Sequence, residues 1–258
     1  MSTRKRRWPA GGEAVAVSEE GGVRFLHIGG DAIQSAMRLV EPDRLELHYT
    51  RAMMGFLLFH PAPEKVLMVG LGGGSMPRFL HRAFPRTRIT VLDVSPAVVA
   101  AARRYFDFPA DGPRLSVVLE DGAVWVPAHP ASADVLLLDA FEDGRQVETL
   151  CSEKFYAQAH AALMDPGVLV QNFMADDDKL DKRVERLERV FGGRVVLIRA
   201  ADCVNMIALA FKGAETRYSW AELGKRAAAL EKTHGLPGEH YLASLKSLNV
   251  STARHLTI

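Results

Sequence analysis

Lys65-Val66-Leu67-Met68-Val69-Gly70-Leu71-Gly72-Gly73-Gly74-Ser75 is the stretch that decides the fold. Val66–Val69 is a short apolar run, the pattern of a parallel strand buried on both faces. It passes directly into glycines, which allow a tight turn and let a ligand approach the backbone closely. Met76–Ala83 follows as a helix, and the free N–H groups at a helix start suit a nucleotide. Arg88–Asp93 is the next strand, and it ends on an acid 23 residues after Gly70. Ligands of open α/β sheets bind beyond the carboxyl ends of the strands. An acid at that place can accept hydrogen bonds from both hydroxyls of a ribose. Strand, glycine turn, helix and acid-ended strand together point to a nucleotide site.

The alternation continues downstream. Pro96–Tyr105 is a helix with Ser95 as N-cap and Pro96 at its first position. Leu115–Leu119 and Ala133–Asp139 are strands. Ser152–Leu163 is a helix that Asp165-Pro166-Gly167 ends, and Val168–Asn172 is a fifth strand. Lys179–Phe191 is a charged helix. Val195–Ile198 and Asn205–Phe211 are the last strands, and Trp220–Lys232 is a C-terminal helix. Strands alternating with helices predict a parallel, doubly wound sheet. Upstream, Glu46–Phe59 reads as a helix. Ala14–Ser18, Val23–Ile28 and Ala32–Val40 read as short strands joined by Gly-rich turns. The fold class is α/β, Rossmann-like, with a small N-terminal β appendage. The organisation expected is a disordered basic tail over 1–13, the small β region over 14–47, and the nucleoside-binding catalytic domain over 48–258.

Composition narrows the function classes. The chain has 258 residues, 32 Lys+Arg against 31 Asp+Glu, and 48% hydrophobic residues, enough for a core and with no field to attract nucleic acid. Arg4-Lys5-Arg6-Arg7 is read as a solvated tail rather than a nucleic-acid arm. No apolar stretch approaches the roughly 18–20 residues that span a bilayer. Trp8, Pro9 and Gly11-Gly12 follow the basic start where a secretory signal would have an apolar run. Cys151 and Cys203 form no CxxC, and His27, His60, His81, His129, His160, His234, His240 and His255 lack ligand spacing, so no metal is expected. Asp176-Asp177-Asp178 is read as a loop and N-cap. The expectation is a cytoplasmic protein with reduced thiols.

The glycine spacing chooses the nucleotide. A dinucleotide fingerprint has G-x-G-x-x-G/A, and its last position here is Ser75. The G-x-G-x-G of Gly70, Gly72 and Gly74 fits an S-adenosyl nucleoside better. Asp121-Gly122, after the third strand, offers an acceptor for an adenine amino group, against the alternative of an ordinary Asp-Gly turn. The strand Val135–Leu138 ends in Asp139-Ala140-Phe141-Glu142-Asp143. A carboxylate at the end of a buried strand faces the ligand, where it can hold an amine or take its proton. Asp139 is therefore the candidate catalytic residue. Glu142 is a candidate substrate contact, and Asp143 a turn residue.

From Gln34 to Phe211 the chain resembles the polyamine aminopropyltransferase family, spermidine synthase and its relatives. The resemblance is carried by Gln34, His60-Pro61-Ala62-Pro63-Glu64-Lys65-Val66-Leu67, Asp93 before Val98-Val99, and Asp121-Gly122. It continues through Asp139, Ser152-Glu153-Lys154-Phe155-Tyr156 and Asp165-Pro166-Gly167-Val168-Leu169-Val170-Gln171. It implies a Rossmann-like S-adenosylmethionine-type methyltransferase fold, and aminopropyl transfer from decarboxylated S-adenosylmethionine to a small-molecule polyamine acceptor, in a homodimer. It also implies that Gln34, the Gly70 loop, Asp93 and Asp121 hold the nucleoside. Asp139 would orient and deprotonate the amine, and His48 and Tyr49 would lie near the acceptor. The sequence departs from the family at Gly73, where relatives place an acid that grips the donor's amine. It departs again at Glu142, which replaces a second Asp, and at His48, which replaces an aromatic. Without an acid at 73, a donor that keeps the methionine carboxylate becomes tolerable. Two other readings stay open: an S-adenosylmethionine-dependent methyltransferase and a non-catalytic nucleoside-binding relative. A nicotinamide oxidoreductase is disfavoured by the glycine spacing.

Overall fold

The computed structural model describes residues 6–7, 15–142, 145–201 and 204–258, with the backbone alone at 6, 7 and 142. The rest of the expected tail, Asp143 and Cys203 lie outside the described residues.

Seven strands form the central sheet: β1 (Lys65–Val69), β2 (Arg88–Asp93), β3 (Leu115–Leu119), β4 (Ala133–Leu138), β5 (Leu163–Met174), β6 (Val195–Arg199) and β7 (Asn205–Lys212). Their order across the sheet is β6-β7-β5-β4-β1-β2-β3. Pairing is parallel from β5 through β3, but β7 runs antiparallel to both neighbours. The wholly parallel sheet expected from the alternation is thus corrected to a mixed one. The reason is the link from β6 to β7, only residues 200–204. A parallel crossover needs a dozen or more residues, so the chain must turn back on itself. In doing so it slots β7 between β6 and β5.

Alternation along the strands sorts side chains to the two faces. Val66, Met68, Val135, Leu137, Val168 and Val170 enter one apolar cluster. Leu67, Val69, Leu136, Leu138 and Leu169 enter the other. The first face packs on α1 (Ser75–Ala83) and α2 (Pro96–Tyr105), and the second on α3 (Gly122–Ala128), α4 (Glu153–Ala162) and α5 (Leu180–Phe191). All six residues of β4 are buried. At about 1.5–3 kcal/mol per large apolar side chain, such strands are the main stabilising part of the fold.

The first face is closed by α6 (Trp220–His234), α7 (Gly238–Leu248) and the segment His48–Leu58, an α-turn that tightens to 3-10 at Met54. Sequence reading missed α7, the pair Arg217–Ser219 with His255–Thr257, and α3. Helix α3 carries Pro127, and α7 and the strand pair lie beyond the αβ alternation.

Arg6–Arg7, Val15–Glu20, Val23–Ile28 and Ile33–Arg38 form a separate antiparallel sheet. Its Val15, Val17, Leu26 and Met37 share the first apolar cluster with Leu71 and Phe106, so the small sheet lies against the glycine turn.

Candidate active site

A cavity of about 610 Å³ opens at the carboxyl ends of β1, β2, β4 and β5, beneath the small sheet and the residues 47–50. β1 delivers the glycine turn to its floor. At Gly70 φ is +93°, and a Cβ there would sit 2.3 Å from the Asp139 carbonyl oxygen. Only glycine allows β1 and β4 to approach so closely at the point where Asp139 begins. The Gly70 N–H donates to the Leu92 carbonyl and the Asp139 N–H to the Val69 carbonyl, which locks the three strand ends together.

Asp93 lines the cavity at the end of β2. Its Oδ2 accepts from the Leu71 N–H at 2.8 Å and its Oδ1 from the Ser95 N–H at 2.9 Å. Each oxygen keeps a lone pair for a further donor. Burial pushes its pKa up, and the two N–H groups oppose that shift. Asp121 also lines the cavity and is the N-cap of α3, its Oδ1 accepting from the Ala123 N–H at 2.8 Å. The alternative weighed for this position, an ordinary Asp-Gly turn, gives way to a helix start. Gln34, Gly70, Gly72 and Gly122 are on the lining as well, whereas Gly73 and Gly74 are not. Gly74 is the N-cap of α1. Gly73 faces away: a Cβ there would lie 2.9 Å from Ser35 Cβ and 3.0 Å from Phe106 Cδ1, and its N–H donates to Ser35 Oγ at 2.8 Å.

Asp139 stands on the opposite wall. Its Oδ1 accepts from Asn172 Nδ2 at 2.9 Å. The Tyr49 hydroxyl reaches both its carboxyl and the Gln34 carbonyl, the latter at 3.2 Å. Although partly open to the cavity, the carboxyl is surrounded by protein, and burial raises its pKa to about 6 against the pull of Asn172 and Tyr49. A carboxylate tuned in this way, in a cleft, is able to accept a proton near neutral pH. His48 is exposed and on the lining, and Tyr49 is half-buried. The Glu142 side chain lies outside the described residues.

Sequence reading missed two members, Asn172 and Asn205, both on the lining. Asn172 had a legible signal, a polar residue ending an apolar strand. Asn205 had none, because its place depends on β7 lying against β5. Among the described residues no group of three or more His, Cys, Asp or Glu could hold a metal ion, and no helix is long and apolar enough to cross a membrane.

The spermine/spermidine synthase domain profile matches residues 46–184. A polyamine aminopropyltransferase of Chromobacterium violaceum is 40% identical over 95% of this chain and 94% of its own. A spermidine synthase structure from Thermotoga maritima superposes with a TM-score of 0.68 at 20% identity, covering 93% of this chain and 83% of that one. More distantly, an eEF1A lysine and N-terminal methyltransferase of Xenopus laevis is 28% identical over 81% of this chain and 32% of its own.

Proposed function

The chain belongs to the spermine/spermidine synthase family, and on that premise we propose how its cavity works as an aminopropyltransferase. The donor is decarboxylated S-adenosylmethionine and the acceptor a small amine. The nucleoside lies across the ends of β1 to β3, with Asp93 accepting from the ribose hydroxyls, Asp121 from the adenine amino group, and Gln34 and Gly70–Gly72 against the sulfonium side. The acceptor enters between Asp139, His48 and Tyr49, with Glu142 as a further contact. The ionised Asp139 attracts the acceptor ammonium and takes its proton. The freed nitrogen lone pair attacks the aminopropyl carbon next to sulfur. The C–N bond forms as the C–S bond breaks, and its electron pair neutralises the sulfonium to give methylthioadenosine.

The observation that carries this reading is Asp139 itself. It is a carboxylate at the end of a fully buried strand, facing the cavity, with a pKa lifted toward neutrality. Calorimetric titration with methylthioadenosine, decarboxylated S-adenosylmethionine, S-adenosylmethionine and S-adenosylhomocysteine tests it. Preference for the first two supports aminopropyl transfer, and preference for the last two overturns it in favour of methyl transfer. The methyltransferase reading survives on one observation, the lack of an acid at Gly73. Because Gly73 packs against Ser35 and Phe106, a Gly73→Asp variant would disturb packing along with charge. The unaltered chain is the better test of donor choice. A cytoplasmic homodimer is part of the same reading, and an apparent mass near twice 28.3 kDa in size-exclusion chromatography is the expected result.

A further inference from the structure

Three side chains stand in line from the cavity wall into the sheet. Asn172 Nδ2 donates to Asp139 Oδ1 at 2.9 Å, and Asn205 Nδ2 donates to Asn172 Oδ1 at 2.9 Å. Asn172 is 2% exposed, so its amide has no water to turn to. An ionised carboxylate only accepts hydrogen bonds, so Asn172 must show it the NH2 end. Its oxygen is then left facing β7 and needs a donor there. Asn205 supplies it, held by the antiparallel register that pairs it with Met174, two residues beyond Asn172. Asn205 Nδ2 also lies 3.6 Å from the Met174 sulfur, which holds the amide on this side. A flipped Asn172 would set oxygen against carboxylate and NH2 against NH2, losing both bonds.

We propose that Asn205 is a positioning residue: acting through Asn172, it holds the donor that keeps Asp139 oriented and ionised. This rests on Asp139 being the proton acceptor. Removing Asn205 leaves Asn172 free to swing. Asp139 then loses the bond that favours its charged form and becomes harder to ionise.

The test is the ratio of variant to parent kcat/KM, followed by methylthioadenosine release from pH 5.5 to 8.5, for Asn205→Leu, Asn172→Leu and the double variant. In the ratio the titration of the substrate amine cancels. If the acid limb moves up by about one unit, Asn205→Leu loses roughly eightfold at pH 5.5 and almost nothing at pH 8. The double variant should be no worse than Asn172→Leu, the mark of two residues acting in series. Methylthioadenosine should bind all three with parental affinity. A loss uniform across pH, or additive single effects, overturns the assignment. Should Asn205→Leu fail to fold, the isosteric Asn205→Asp takes its place. It puts an acceptor against an acceptor and adds negative charge, so its limb should move further up, and an unmoved limb overturns the proposal. Asp139→Asn separates the two levels. If it stays fully active, both the base and its positioning residue are wrong. If it is inactive while the Asn205→Leu ratio is flat, only the role of Asn205 falls.

Discussion

Two aspartates on one strand behave in opposite ways. Asp134, near the start of β4, accepts from His60 Nε2 at 3.0 Å and from the Glu64 and Lys65 N–H groups at 2.6 and 2.9 Å. Burial works to raise its pKa, but these donors bring it below the ordinary value. Its stabilising contribution is present above the unfolded pKa and is lost as pH falls through the lowered folded one. Asp139, just past the other end, is raised to about 6, so it works the other way. Its contribution is intact below the unfolded pKa of 3.8 and lost as pH rises through about 6. Asp139→Asn should therefore lower kcat by about 10²–10⁴, the usual worth of a general base. It should also stabilise the ligand-free protein above pH 7 by up to roughly 3 kcal/mol, with little change near pH 4. Paired kinetics and thermal melts at the two pH values check this, and equal melting points at pH 7.5 would contradict a desolvated carboxylate.

The elements around the turn explain why so few side chains suffice. Ser95 caps α2 by accepting from the Val98 N–H at 3.3 Å while its own N–H donates to Asp93. Ser95→Ala should cost about 1 kcal/mol, seen in a melt, with nucleoside affinity falling much less. Gly70→Ala is a harsher change. Its Cβ would press on backbone of the strand that presents Asp139, at a φ that L side chains rarely adopt. Loss of both methylthioadenosine binding and several degrees of melting temperature is expected, and parental binding would refute the role given to this turn.

Across the whole molecule, the segment 145–151, which walls the cavity and is proposed to face the acceptor, is tied down from β5 and α5. Gln146 donates to the Asn172 carbonyl, and its own Oε1 accepts from Arg183 at 2.7 Å. Arg183, buried on α5, also bonds Glu148 at 2.7 Å and pairs with Asp177. Val147 and Leu150 from this segment line the cavity. Truncation in Arg183→Ala removes the buried cation that joins Gln146, Glu148 and Asp177, and leaves Glu148 only the longer contact to Lys179. The acceptor KM should rise several-fold with methylthioadenosine affinity unchanged, as steady-state kinetics and calorimetry would show. An equal loss in both would place the segment on the nucleoside instead.

Local pattern determined much of this protein. The runs that became β1 to β4, the glycine turn, the cap at Ser95 and the acids Asp93, Asp121 and Asp139 were legible, because a buried strand, a turn and a helix start each carry their physics within a few neighbouring residues. Family resemblance added Gln34, His48 and Tyr49, which no spacing would have singled out. Tertiary structure alone decided the rest. The reversal of β7 follows from a short link whose consequence appears only when the sheet assembles. The outward packing of Gly73 needs Ser35 and Phe106, both distant in the chain. The Asp139–Asn172–Asn205 line exists because register sets three strand ends side by side, and register is a property of pairing, which no single strand contains.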